Sequence, residues 1–254
     1  MEIDIIKIIV LIFFGFVGAF INAIVGGGGL ITLPALLSVG LPPSAAIATN
    51  KLAASMGNFT STLTFLKAGK IDLKLIGPIL PLVFIFSMIG AWTVHLMPPQ
   101  MLKPLVIIML IVVLIYTSLK KDWGQLENRK ELTWRRGILF FSSLVLLGFY
   151  DGFFGPGTGS FIIFIFLIMG FDFLKAAGNA KLLNFISNLA ALIMFLILGE
   201  VNYTYGFIMG LSMIAGAFIG TRFALKKGAT FVRVLFIVMT IILIIKNIND
   251  YFSE

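Results

Sequence analysis

Apolar runs of membrane-spanning length follow one another along almost the whole of this 254-residue sequence. Only 12% of the residues are charged, against roughly 25% in an ordinary soluble domain, so a water-soluble fold would have no place to bury this much apolar surface. We predict an all-α integral membrane protein, since helices satisfy their own backbone hydrogen bonds in lipid. About ten transmembrane segments are predicted, near residues 5–25, 30–41, 43–66, 75–97, 101–119, 137–154, 160–171, 173–198, 203–225 and 231–248.

Two of these segments, 30–41 and 160–171, are too short to cross a bilayer as straight helices. About a dozen helical residues cover roughly 18 Å, whereas the hydrocarbon core is about 30 Å thick. Each short segment follows a glycine-rich stretch, at equivalent places in the two halves of the chain. The sequence therefore predicts two broken, glycine-interrupted helices.

The two halves form an internal repeat, in which matching positions are separated by a constant offset in the numbering. Apolar matches carry little weight in such a sequence, but polar and glycine matches do. They include Lys51 with Lys181, Asn58 with Asn188, and Gly90 with Gly220. We predict a first transmembrane repeat at 1–119, a linker at 120–136 and a second repeat at 137–254, because duplicated membrane units are common in secondary transporters.

Loop charges indicate how the two repeats are oriented. Loop 67–74 carries three lysines and its partner 199–204 carries none, whereas 222–233 carries four basic residues and its partner 96–103 only one. Equivalent loops then lie on opposite faces under the positive-inside rule. This predicts two five-segment inverted repeats, with the linker in the cytoplasm and both termini outside. The alternative is parallel repeats, each with four full spans and a re-entrant piece.

The glycine-rich stretches at 26–29 and 155–160 are the first candidates for a binding site. A break exposes amide N–H groups at the start of the following half-helix, and such an end attracts anions. Thr158 and Ser160 add hydroxyl donors. The alternative is close helix packing through small residues. Two such stretches at equivalent positions favour a substrate site.

Lys51 and Lys181 are the second candidates, because each lies about nine residues, or roughly 13 Å, into a predicted helix. A charge near the middle of a bilayer costs at least about 2.5–3.5 kcal/mol. Each lysine can instead lock helices together by pairing with a carboxylate, but Asp151 alone is deeply placed. One lysine is then in excess, which predicts an anion site. Asp151, whose nearest counterpart is Asn22, either takes up a coupled proton or neutralises a lysine.

Several classes of function are excluded. The chain has no cysteine and a single histidine, so thiolate chemistry and a Ser/His/Asp triad are not expected. No phosphate-loop motif and no cluster with metal-ligand spacing is present, so we predict no cofactor, no metal site and no enzyme. The net charge of +8 lies in short connecting segments, as expected for a membrane protein and not for a protein that binds nucleic acid.

The sequence resembles the TauE/SafE sulfite exporter family, also called the toluene sulfonate uptake permease family. The motifs that carry this resemblance are 22–34 (NAIVGGGGLITLP), 48–51 (ATNK), 150–161 (YDGFFGPGTGSF) and 180–184 (AKLLN). The resemblance runs from about residue 12 to 248. It implies a multi-pass permease with duplicated halves in the cell membrane of a prokaryote, which exports or takes up sulfite, sulfonates or related organic anions.

We therefore predict a secondary transporter that moves a small sulfur-containing or organic anion by alternating access, with Asp151 as the candidate for proton coupling. The predicted substrate-binding residues are Asn22, Gly26, Gly27, Gly28, Gly29, Thr49, Asn50, Lys51, Asn58, Gly155, Gly157, Thr158, Gly159, Ser160, Lys181, Asn184 and Asn188. A passive anion channel is the first alternative, and a membrane-embedded enzyme is a weaker one. The expected partners are a small anionic solute and the lipid bilayer, with a second copy of the chain in a homodimer as a further candidate.

Overall fold

The computed structural model describes residues 5–94 and 133–252, with side chains as far as residue 227 in the last helix. Every regular element in this described part is a helix, as predicted. The helices are α1 Ile5–Val25, α2 Gly29–Ser38, α3 Pro43–Lys67, α4 Leu73–Ile76, α5 Leu80–Thr93, α6 Trp134–Phe153, α7 Thr158–Ile168, α8 Phe173–Ile197 and α9 Tyr203–Phe252, with a 3₁₀ turn at Gly77–Ile79.

Five stretches of the described residues are long and apolar enough to cross a membrane. They are α1, Leu73–Thr93, α6, α8 and Tyr203–Lys227. Helix α3 equals α8 in length, but its polar residues lower its hydropathy, and α2 and α7 are short. These helices indicate a multi-pass membrane protein. The predicted segment 101–119 and most of the linker 120–136 lie outside the described residues.

The last helix corrects one prediction. We expected two segments, 203–225 and 231–248, separated by a basic loop, but α9 runs unbroken from Tyr203 to Phe252. Its 50 residues correspond to about 75 Å of helix. Residues 222–233 contain no proline, and arginine, lysine and alanine are good helix formers, so the single Gly228, at a cost of about 1 kcal/mol, does not end the helix. Charge alone does not break a helix, so the basic cluster was a wrong indicator of a loop.

Helix bounds recur at the repeat offset that relates Lys51 to Lys181. Helices α3 and α8 each have 25 residues and begin at Pro43 and Phe173. Each helix is followed, two residues after its last residue, by a glycine with positive φ, 65° at Gly69 and 72° at Gly199. The following residue in each case donates its N–H to the carbonyl five residues earlier, at 3.0 Å and 3.2 Å. This left-handed glycine cap closes the helix, and glycine adopts the conformation without steric cost.

The predicted interruptions are present between α1 and α2 and between α6 and α7. Gly26 and Gly27 have φ values of 80° and 79°, and Gly155 and Gly157 have 94° and 86°. These values lie in the left-handed region, which only glycine enters readily. The second break is held by the Tyr150 hydroxyl, which donates to the Pro156 carbonyl at 2.8 Å.

The helices of the two halves are interleaved. Helix α1 packs along α9, and α6 packs along α5, so the first helix of each half lies against the fourth segment of the other. Helices α3 and α8 pack against each other. Glycines permit the closest approaches: a Cβ at Gly220 would lie 2.6 Å from the Phe20 carbonyl oxygen, and one at Gly90 would overlap the Phe149 carbonyl oxygen.

Buried polar side chains are concentrated on α3 and α8. On α3 they are Thr49, Asn50, Lys51, Ser55, Asn58, Ser61 and Thr62, and on α8 they are Asn179, Lys181, Asn184, Ser187 and Asn188. Polar groups are costly to bury unless they find partners. The pair α3 and α8 is therefore the structural basis of a polar site inside an apolar protein.

Candidate functional site

A cavity lies where the two helix breaks face α3 and α8. Its lining residues are Asn22, Gly27, Gly28, Gly29, Thr32, Asn50, Lys51, Ala54, Asn58, Asp151, Gly155, Gly157, Thr158, Gly159, Asn184, Asn188 and Met213. Most of these residues carry a polar side chain or are glycines, which leave the backbone accessible. Both halves of the chain contribute to the wall.

The two breaks touch each other beside this cavity. A Cβ at Gly26 would overlap the amide nitrogen of Ser160, and a Cβ at Gly29 would lie 3.3 Å from the Pro156 Cα. The Ser160 hydroxyl donates to the Val25 carbonyl at 3.0 Å, which ties the start of α7 to the end of α1. The N-terminal ends of α2 and α7 are thereby brought together, and both present the positive end of a helix dipole.

Lys51 and Asp151 form a buried ion pair across the two halves. The Lys51 Nζ lies 3.2 Å from the Asp151 Oδ1, and it also donates to the Asp151 backbone carbonyl. The other carboxylate oxygen, Oδ2, accepts from the Ser187 hydroxyl and, at 2.9 Å, from the Asn188 amide. Asp151 is thus held by one cation and two neutral donors. The Asp151 carboxylate occupies Lys51 in the way that a bound anion would.

Asn22 takes the corresponding place in the first half and also lines the cavity. Its amide donates to the Asn58 Oδ1 at 2.9 Å, and its own Oδ1 accepts from the Gly28 backbone N–H at 3.5 Å. Nearby, the Thr32 hydroxyl donates to the Asn50 Oδ1 at 2.7 Å. The first half therefore presents neutral amides where the second half presents a carboxylate.

Lys181 is the other buried cation. Its side chain is 0% exposed, and its Nζ has no hydrogen-bond partner among the described residues. It does not line the cavity, but it precedes Asn184 by three residues and Asn188 by seven, and so lies on the same helical face. One lysine is therefore paired and the other is not.

Three further predicted residues lie off the cavity wall. Gly26 and Ser160 form the contact between the breaks. Thr49 accepts a hydrogen bond from the Asn202 backbone N–H at 3.0 Å, at the start of α9. Its counterpart in the repeat does the same: the Asn179 Oδ1 accepts from the Asp72 backbone N–H at 2.8 Å. These two contacts join the halves and do not face a ligand.

Sequence reasoning missed three lining residues and one supporting residue. Ala54 is the repeat counterpart of Asn184, so the constant repeat offset was a signal for it. Thr32 follows the glycine run by one helical turn, and Ser187 adjoins Asn188. Met213 carries no polar signal at all; its position follows only from the packing of α9 against α3. No group of three or more metal-ligating side chains occurs within 5–94 and 133–252.

Comparison with known proteins gives matches over nearly the whole chain. The model of the family described as "Sulfite exporter TauE/SafE" matches residues 11–247. The "Probable membrane transporter protein" of Haemophilus influenzae is 39% identical over 253 residues, with 98% of each chain covered. The "Probable membrane transporter protein ORF9" of Sinorhizobium sp is 38% identical over 237 residues, which cover 92% of this chain and 90% of that one.

A third relative, the "Probable membrane transporter protein YfcA" of Escherichia coli K12, is 34% identical over 242 residues, with 95% of this chain and 89% of that one covered. No solved structure gives a significant match. The residues that the family model matches include both helix breaks, Lys51 and Asp151. The chain therefore belongs to the sulfite exporter TauE/SafE family of membrane transporters.

Proposed function

We propose that this protein is a secondary transporter that carries a small oxyanion, such as sulfite or an organosulfonate, by alternating access. The observation that carries the proposal is an excess of buried basic side chains at the site: Lys51 lines the cavity and pairs with Asp151, whereas Lys181, off the cavity wall, is buried without a partner among the described residues. A buried charge without a partner is costly, and a bound anion removes that cost. The family description names sulfite export, which agrees with this charge.

Three kinds of group hold the anion in this proposal. Lys51 and Lys181 supply charge. The backbone amides at the two breaks supply donors, as at other helix N-termini. Asn50, Asn58, Asn184 and Asn188 orient the ligand from α3 and α8. Because the Asp151 carboxylate already occupies Lys51, a proton on Asp151 releases this lysine for the anion. We propose Asp151 as the residue that couples transport to protons.

The two inverted repeats are part of the same proposal. Support comes from the recurrence of helix bounds at a constant offset and from the interleaved packing, in which α1 meets α9 as α6 meets α5. Inverted repeats give a transporter two related conformations, one open to each side. In this scheme the conformation open to one side of the membrane becomes the conformation open to the other when the two repeats exchange their conformations.

Flux measurements on the purified protein in liposomes test the transport function. Sulfite, thiosulfate, sulfoacetate and taurine are to be screened under imposed ion gradients. For Lys51→Ala and Lys181→Ala we expect anion flux to be lost while expression is retained, because each removes a buried charge. Lys74→Ala, at an exposed position, is the matched control and should transport normally.

Three outcomes contradict the proposal. Full transport by both lysine variants removes the lysines from the mechanism. Flux that never saturates and is not driven uphill by any gradient indicates a channel. Binding of these anions without any flux in the wild-type protein removes the transport function.

A further inference from the structure

Each half contributes an equivalent polar pair to the cavity wall, and the two pairs differ in charge. In the second half Asp151 accepts from Asn188 at 2.9 Å, and in the first half Asn22 donates to Asn58 at 2.9 Å. Asn58 and Asn188 are matched by the repeat offset, and Asn22 and Asp151 fall one position short of it. Asn22 is thus the structural counterpart of Asp151, with an amide in place of the carboxylate.

This difference accounts for the contrast between the two lysines. Lys51 of the first half reaches Asp151 of the second half. By the repeat relation, the equivalent partner of Lys181 would be residue 22 of the first half. That residue is Asn22, which carries no negative charge. The Lys181 ammonium is fully buried and has no hydrogen-bond partner in the part of the chain that the structure describes.

Counting charges then gives the net charge of the site. The buried charged side chains among the described residues are Lys51, Lys181 and Asp151, which together leave one positive charge when all three are ionised. In a low-dielectric interior a net charge is strongly disfavoured. An anion with a single negative charge neutralises the site, whereas an anion with two charges leaves it negative by one.

We propose that Asn22 sets the valence of the bound anion: with Asp151 ionised, this site selects a singly charged oxyanion of the sulfonate type over a doubly charged one. This inference rests on the proposed anion-binding function. A divalent anion fits the same site only when Asp151 carries a proton, since the site then holds two positive charges. Asn22 is therefore a specificity-determining residue. Because it is neutral, the positive charge of Lys181 is left for the anion to balance.

The test uses two probes whose charge does not change near neutral pH, methanesulfonate with one negative charge and sulfate with two. Binding of each is measured by calorimetry on the full-length purified protein. We expect the wild-type protein to bind methanesulfonate at least about tenfold more tightly than sulfate, and Asn22→Asp to weaken methanesulfonate binding by about a hundredfold, as for other buried charge pairs. Asp151→Asn should gain sulfate binding.

A double variant is the matched control. Asn22→Asp combined with Asp151→Asn moves the carboxylate to the other half and leaves the charge count unchanged, so we expect the preference for methanesulfonate to return. Lys181→Met should lose methanesulfonate binding. Size-exclusion chromatography and thermal stability verify folding, and Asn22→Asp should not lower the stability, because it gives Lys181 a partner.

The outcomes separate this inference from the function on which it rests. Equal binding of both probes by the wild type, or unchanged binding in Asn22→Asp or Lys181→Met, overturns the valence rule and leaves anion transport standing. Failure of the double variant to recover the preference also overturns it. Absence of binding of either probe, together with absence of flux of the four screened compounds, overturns both.

Discussion

At the scale of single residues, Asp151 joins the two halves of the candidate site. Its carboxylate pairs with Lys51 and accepts hydrogen bonds from Ser187 and Asn188. Removing a buried partner from such a pair leaves the other charge uncompensated. In the proposed mechanism this side chain exchanges its ion pair with Lys51 for a proton when the solute binds.

We expect Asp151→Asn to uncouple transport from protons. The amide keeps the shape of the side chain but neither carries a negative charge nor takes up a proton, so Lys51 is no longer held by a group whose charge depends on protonation. In liposomes at alkaline pH, where sulfite is divalent, an inward proton gradient should drive sulfite accumulation by the wild type and not by the variant. Asp172→Asn, which keeps the cap at the start of α8, is the control. Proton-driven accumulation by Asp151→Asn would exclude the proposed role.

The residue scale also shows where the sequence was sufficient. The helix rise places Lys51 and Lys181 deep in their helices, and the sequence puts few carboxylates at that depth. Together these two features predicted the buried positive charge. Which lysine pairs with Asp151 depends on contacts between helices of different halves. The role of Thr49, which joins α3 to the start of α9, depends on such contacts as well. Neither is encoded in local spacing.

At the scale of elements, glycines decide how closely the helices approach. Gly90 on α5 meets the backbone of α6 at Phe149 and Phe153, and Gly220 on α9 meets the backbone of α1 at Phe20. Small residues at such crossings allow backbone contact, which is a main source of helix association in membranes. The two crossings occupy equivalent places in the two halves.

We expect Gly90→Ala to destabilise the protein by about 1–3 kcal/mol, the usual cost of inserting a methyl group into a packed site. The added Cβ would overlap the Phe149 carbonyl oxygen and would lie 2.8 Å from the Phe153 amide nitrogen. The measurement is the thermal unfolding of the purified protein in detergent. Gly77→Ala is the control, since nothing lies within 4 Å of its added Cβ. Equal stability of the two variants would contradict close packing at this crossing.

The ends of helices were predictable where the sequence contains residues that change the allowed backbone conformations. The breaks at 26–28 and 154–157 follow from glycine runs, and the ends of α3 and α8 follow from Gly69 and Gly199. The break expected between 225 and 231 rested on a basic cluster and a single glycine, Gly228, and α9 continues through both. Glycine and proline change the allowed backbone conformations, whereas lysine and arginine do not.

At the scale of the whole molecule, the inverted orientation of the halves is testable because the chain has no cysteine. Lys74→Cys and Thr204→Cys place single thiols at equivalent, exposed positions in the two repeats. We expect a membrane-impermeant maleimide to label the cysteine at position 204 in intact cells, and the one at 74 only after the membrane is opened. This follows from the lysines of loop 67–74, which favour the cytoplasm. Labelling of both from the same side would establish parallel repeats.

The contact of Gly26 with Gly159 and Ser160 has a mechanical consequence. The two backbones are in direct contact here, with no side chain between them, and the Ser160 hydroxyl donates a hydrogen bond to the Val25 carbonyl. If transport proceeds by alternating access as proposed, the rearrangement must either separate these two segments of main chain or rotate about them. This backbone contact borders the candidate binding cavity, since Gly159 lines it.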